Sequence, residues 1–289
     1  MPERFLPEIS KLEGLVHLQL SSLAYAAAFF FLLSVWVNRK HLDRVLKKLL
    51  PRSLKVNLLT YVFDTLLVAA PLAYILAQLS TFAVKHDLAL IDSIRFQSIP
   101  DIALIFVVVF VADAVGYFRH RFEHSRLLWP SHVLHHSDDD MTWFTLFRFH
   151  PVNRLSSALI DMSVLLAIGF PGWAIAVNGV IRHYYGMLVH ANVPWTYGAW
   201  GRVFVSPVMH RWHHVLQGKG VYSNYASIFS VFDQLFGTYY VPGPCNQPLG
   251  VKGVRHDSFF SQLIHPFARL FRLISPKKRL AMEGNGVEQ

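Results

Sequence analysis

Residues 99–137 read IPDIALIFVVVFVADAVGYFRHRFEHSRLLWPSHVLHHS. The stretch joins an apolar run of membrane length, Ile99 to Phe118, to two histidine clusters, HRFEH at 120–124 and HVLHH at 132–136. A helix needs about 20 apolar residues to cross a hydrocarbon core of ~30 Å. Only Asp101 and Asp113 carry charge within this run. The histidines therefore follow directly where a spanning helix leaves the bilayer. Outward from this junction the chain repeats both themes.

Two more long apolar runs precede it. Leu20 to Val37 has no charge, and Val56 to Leu79 has Asp64 alone. A fourth apolar region, Leu155 to Val189, is broken by Gly169-Phe170-Pro171-Gly172. Proline and glycine together end a helix or make a tight turn. The two halves, 15 and 17 residues long, are short for a crossing, so the region reads as a hairpin that enters and leaves the membrane on one side. Composition agrees with a membrane protein. Of 289 residues 53% are hydrophobic and 16% charged, against about 25% charged in a soluble domain. The net charge of +9 lies beside the apolar runs, which speaks for cytoplasmic membrane flanks and against a nucleic-acid partner. Cys245 is the single cysteine, so an internal disulfide and a thiolate metal cluster are both excluded.

Charge also predicts sidedness. Asn38 to Lys55 carries Arg39, Lys40, Arg44, Lys47, Lys48, Arg52 and Lys55 against Asp43, whereas Lys85 and Arg95 are matched by Asp87 and Asp92. The positive-inside rule places the first loop in the cytoplasm and the second outside. The third run then emerges on the cytoplasmic side just before His120. The basic tail around Arg269, Arg272, Lys277, Lys278 and Arg279 agrees. Three regions are expected: a membrane anchor over 1–118, a histidine-rich metal region over 119–245 that includes the 155–189 hairpin, and an interfacial basic tail over 246–289. Within that tail, Ser258 to Ile274 mixes phenylalanines with basic residues as an interface-lying helix does. The expected fold is all-α and multi-pass, with a helical, histidine-rich domain facing the cytoplasm.

Of 16 histidines, 11 fall between His120 and His214. His120 and His124 are an i, i+4 pair and share a helix face. His132, His135 and His136 form an HxxHH pattern expected to converge on one side of a helix, and His210, His213 and His214 repeat it 78 residues later. His150 and His190 are further candidates. Eight clustered histidines make poor core filling, because many ring nitrogens would lack partners. They point to metal. One catalytic zinc takes three protein ligands and a structural zinc four, so the count implies two ions. Imidazole suits zinc, copper, iron and nickel alike. A membrane zinc hydrolase is the alternative reading, but the glutamate of H-E-x-x-H is absent. A di-haem anchor fits adjacent His-His pairs poorly. Asp113, seven residues before His120, is a candidate hydrogen-bond acceptor for a ligand. His183 is weighed as facing the metals. Asp64 and Asp161, inside apolar runs, are expected to bond between helices. Glu123 shows no special context.

The strings HRFEH, LWPSHVLHHS, RFHPVN, LVHAN, HRWHH, SNYA and FDQLFGTYY occur in this order over about residues 110–242. In that order and spacing they resemble the fatty acid hydroxylase/sterol desaturase superfamily. The resemblance implies an integral-membrane di-iron oxygenase, with two Fe and O2 as co-substrate, that hydroxylates or desaturates a sterol-like or acyl lipid. It makes His120, His124, His132, His135, His136, His210, His213 and His214 metal ligands, with His190 a ninth and His150 a tenth. Asn224 and Asp233 match family positions that support the ligands. Gly186 stands where a glutamine is common. No Gly-x-Gly-x-x-Gly loop or haem-binding appendage is present, so electrons are expected from a separate protein of ferredoxin or cytochrome b5 type.

Overall fold

The computed structural model describes residues 6–37, 39, 53–254 and 257–274. Most of the basic loop 38–55 and the basic tail after residue 274 lie outside the described residues. The chain divides into two compact units, 1–51 and 52–289. Among its described residues the first unit contains one helix, α1 (Leu6–Val37), whose apolar part is Ser21–Val37.

The second unit holds the remaining described helices. They are α2 (Leu54–Lys85), α3 (Asp101–Glu123), α4 (Trp129–His136), α5 (Pro151–Ile168), α6 (Gly172–His190), α7 (Pro207–His213), α8 (Val231–Leu235) and α9 (Phe259–Ile274). Among the described residues the regular structure is helical, with two isolated β-bridges, Phe204 to Phe229 and Val215 to Leu249. Among the described residues three helices, α2, α3 and α5, are long and apolar enough to cross a membrane. Inside α2 the five residues Asp64–Val68 form a π-helical turn. There Asp64 pairs with Arg154 of α5 at 3.3 Å, while Asp161 of α5 pairs with Arg119 of α3 at 2.8 Å. Both acids of the apolar runs thus bond between helices.

The hairpin differs from its sequence expectation. Its helices have 18 and 19 residues, or about 27 and 28 Å at 1.5 Å per residue. Its turn does not stop part way along the neighbouring helices. Leu90 and Ile91, in the loop between α2 and α3, donate backbone hydrogen bonds to the carbonyls of Ala167 and Ile168. The turn therefore lies level with the end of α2 and the start of α3. Gly169 makes this possible: its φ is +97°, and a Cβ there would collide with the Ile91 carbonyl. The sequence count was short because it began at Leu155. Pro151 takes the first helical position, where its missing N–H is harmless, so α5 starts four residues earlier.

Apolar packing holds this frame. Leu104, Val108 and Ala112 of α3 bury against Leu165 of α5, Phe170, and Ala174 and Ile175 of α6. Nearer the histidines, Val109 and Tyr117 of α3 pack with Val189, Met209, Tyr225, Phe229 and Phe232. Helix α9 lies with Gln262 buried and bonded to Ser137 Oγ at 3.0 Å, and with Phe260, Ile264 and Phe267 exposed on its other side.

Candidate metal centre

Nine of the predicted histidines meet at the end of α3, in two groups. His120, His124, His132, His136 and His213 form one, and His135, His190, His210 and His214 the other; within each group the candidate ligand atoms lie within 4.8 Å of one another. The ring of His136 stacks on that of His214 at 4.3 Å, so the groups adjoin.

The HxxHH patterns do not converge on one side, as the sequence suggested. Each divides. Helix α4 sends His132 and His136 to the five-histidine group and His135 to the other, while α7 sends His210 and His214 to the four-histidine group and His213 to the other. Residues i and i+4 lie close together around a helix, whereas i+3 and i+4 are about 100° apart. Both helices are short and start with a device that sets their first turn. Pro130 opens α4; in α7 the Ser206 hydroxyl accepts from Met209 N at 3.1 Å, ahead of Pro207.

Hydrogen bonding decides which ring nitrogens face inward. His120 Nδ1 donates to the Tyr225 carbonyl at 2.7 Å, His213 Nδ1 to that of Ser223 at 2.6 Å, and His190 Nδ1 to that of Gly186 at 2.6 Å. His132 Nδ1 donates to Asn153 Oδ1 at 3.2 Å. A carbonyl oxygen only accepts, so in each neutral ring Nδ1 holds the proton and Nε2 is bare. Yet the bare Nε2 of His120 lies 3.1 Å from that of His132 and 3.0 Å from that of His213. Opposed lone pairs repel unless a cation lies between them. In the second group the bare Nε2 of His190 lies 3.0 Å from Nε2 of His135 and 2.9 Å from Nε2 of His210. Nδ1 of His135, His210 and His214 is buried without a partner. The donor set fits metal ions.

Burial keeps the rings neutral. It pushes His213 down to about 3, and holds His136, His210 and His214 well below the usual imidazole range, with neighbouring imidazoles adding to the effect in those three. A depressed folded value means that this neutral cage is stable above about pH 6.5 and loses stability as pH falls from there.

The three predicted supporting residues act through one loop. Asp113, fully buried, accepts from the backbone amides of Ser227, Ile228 and Phe229 at 3.2, 3.1 and 2.7 Å, and pairs with Arg182 at 2.9 Å. It touches no histidine, contrary to the expectation from its spacing. Asp233 takes the next two amides, Tyr225 and Ala226, at 2.8 and 2.9 Å, and the Thr238 hydroxyl at 2.7 Å. Burial pushes this carboxyl up to about 6 against those donors. Asn224, at φ +62°, joins Met209 O and Tyr240 O. Five successive amides are thus held by two buried carboxylates, and the same loop offers the Ser223 and Tyr225 carbonyls to His213 and His120.

Two predicted positions fall elsewhere. His150 is in neither group: its Nδ1 accepts from Val152 N at 3.1 Å, capping α5, and its Nε2 donates to Leu263 O of α9 at 3.0 Å. With both nitrogens engaged it has none for a metal. His183 packs on Phe147 and Tyr184. Conversely, sequence reasoning passed over Glu123, which is buried beside His132, with its Oε2 3.5 Å from Nδ1. The signal was its place four residues after Arg119, an ion-pair spacing. Trp129 and Tyr225 flank His124 with ring centroids at 5.0 and 5.1 Å, and Phe149 stacks on His135 at 4.5 Å. Behind Phe149 lies an apolar crevice lined by Thr60, Phe63, Leu134 and Phe259.

These features define a helical protein with membrane-length spans and a histidine cage suited to two metal ions. Residues 105–238 match the fatty acid hydroxylase family model. An ornithine lipid hydroxylase of Rhizobium tropici is 32% identical over 161 residues, which are 55% of this chain and 49% of that protein. Alkylglycerol monooxygenases are also similar. That of Caenorhabditis elegans is 25% identical over 168 residues, 57% of this chain and 32% of that protein. That of Danio rerio is 28% identical over 151 residues, 51% and 33% of the two chains. The chain thus spans about half the length of the first relative and about a third of the others. No solved structure matches.

Proposed function

We propose that the chain is a multi-pass membrane di-iron oxygenase that hydroxylates a lipid with O2. The observation that carries this reading is the pair of buried histidine groups, in one of which bare nitrogens oppose each other at about 3 Å. His120, His124, His132, His136 and His213 would hold one iron, and His135, His190, His210 and His214 the other. Bound iron supplies the activation of O2 needed to attack an unactivated C–H bond. The chain's own part is to fix the ligand nitrogens, through the 223–229 loop and Asn153, and to wall the cage with Trp129, Tyr225 and Phe149 against water.

Hydroxylation is preferred to desaturation because the relatives named above are a lipid hydroxylase and lipid monooxygenases. The lipid would come sideways from the bilayer and electrons from a separate ferredoxin or cytochrome b5 type protein. Charge asymmetry around the apolar runs favours a cytoplasmic centre. The 105–238 region would thus carry the chemistry, with anchor and tail flanking it. The test is to purify the chain in nanodiscs of host lipid, count iron by mass spectrometry, and supply a reductant with heavy-isotope O2. About two irons per chain and a lipid product carrying one heavy oxygen are expected. A zinc-only protein, or oxygen drawn from water, would overturn the reading.

A further inference from the structure

Glu123 closes α3, is 1% exposed, and receives three hydrogen bonds on Oε1: from Arg119 Nη1 at 2.7 Å, Asn153 Nδ2 at 2.8 Å and Ser157 Oγ at 2.7 Å. Arg119 is held in turn by Asp161 at 2.8 Å, through Nε. A carboxylate only accepts, so the amide end of Asn153 must face Glu123 and its carbonyl end must face His132. That carbonyl lies 3.2 Å from His132 Nδ1, and Glu123 Oε2 lies 3.5 Å from the same nitrogen. One buried charge thus orients an amide, and both present acceptors to one imidazole. The ring is left one tautomer, with Nε2 bare and aimed at His120 and His136.

The four-histidine group has nothing equivalent. His190 alone has an acceptor on Nδ1; those of His135, His210 and His214 have none. An outer acceptor fixes a ligating imidazole and raises its basicity, and losing one commonly costs 10–100-fold in metal affinity. In the five-histidine group three rings, His120, His132 and His213, are held this way, and one of them by a carboxylate.

We infer that Glu123, acting through Asn153, is a positioning residue for His132 that makes the five-histidine group the tighter metal position, so that the centre loads in order with this group first. The inference rests on the two-metal reading. Substituting Glu123→Gln keeps the shape but turns an amide N–H toward His132. Pairing it with Asn153→Asp exchanges amide and carboxylate and returns an anionic acceptor to Nδ1.

The experiment titrates metal-free full-length protein in detergent with Co2+, followed by calorimetry and visible absorption, with thermal melting as a check on folding. Wild-type protein should bind two ions in two steps, the first about 10-fold tighter or more. His214→Ala should keep the tight step and His136→Ala should lose it. Glu123→Gln should weaken the first step by about 10–100-fold and leave the second within about twofold, and adding Asn153→Asp should restore most of the loss. Equal steps in the wild type, an unchanged Glu123→Gln titration, both steps weakened alike, or no recovery in the double variant would each overturn the inference while leaving two bound ions. A wild-type protein that takes up fewer than two ions would overturn the two-metal reading as well.

Discussion

Helices α4 and α7 carry the same HxxHH pattern in opposite senses. In α4 the i, i+4 pair goes to the five-histidine group and the middle histidine to the four; in α7 the pair goes to the four and the middle histidine to the five. Their supports differ too. His132 of α4 leans on Asn153 and the Glu123 carboxylate, whereas His213 of α7 is held by a loop carbonyl, and His210 and His214 have no outer acceptor. Helix periodicity splits the pattern; the rotation of each helix about its axis decides which way. That rotation is set by packing: α4 follows the end of α3, while Met209 of α7 is buried against Tyr117 and Tyr225.

The comparison breaks most sharply at the neighbouring pair His135 and His136. Alanine at either should lower product formation in membranes by about 100-fold or more, since the metal contributes several kcal/mol to such chemistry. Each should remove iron from a different group, leaving about one per chain. Near-normal turnover in both variants, at matched expression, would refute the assignment of the groups.

An effect on stability, and on turnover only through it, is expected from the loop that serves one group only. Asp113→Ala strands Arg182 and three amides, at a cost of about 3–5 kcal/mol. Thermal unfolding in detergent should show the loss. Iron retained by the folded fraction should shift toward the four-histidine group, because the Tyr225 and Ser223 carbonyls serve only the other. An unchanged melting temperature would show that Asp113 does not hold the loop.

The smallest effect sharpens the boundary of the cage. His150→Ala should lose a helix cap worth about 1 kcal/mol and keep iron content and turnover. Loss of iron in this variant would reinstate His150 as a ligand.

The histidine groups were legible because ligands come in pairs at helical spacing, a signal that survives without knowledge of the fold. His150 was misplaced for the same reason that it was noticed. A histidine before a proline suits a ligand and a helix cap equally, and only the approach of Leu263 and Val152 distinguishes them. Glu123 was hidden because an acid in a polar string looks solvated until Asn153 and Ser157, some 30 residues on, bury it. Asp113 was noticed for its spacing from His120, yet its partners are Arg182 and the amides of residues 227–229, the latter more than 100 positions away.

By itself the sequence determined the helical class, the membrane-length runs and the three clusters of paired histidines, since these follow from apolar length and helical period, which are local properties. Tertiary structure alone decided how the nine histidines divide, which nitrogen of His120, His132, His190 and His213 is bare, how far the hairpin extends, and which carboxylates support the cage. Those features depend on helix rotation and on hydrogen bonds between residues distant in the chain, and no local period encodes either.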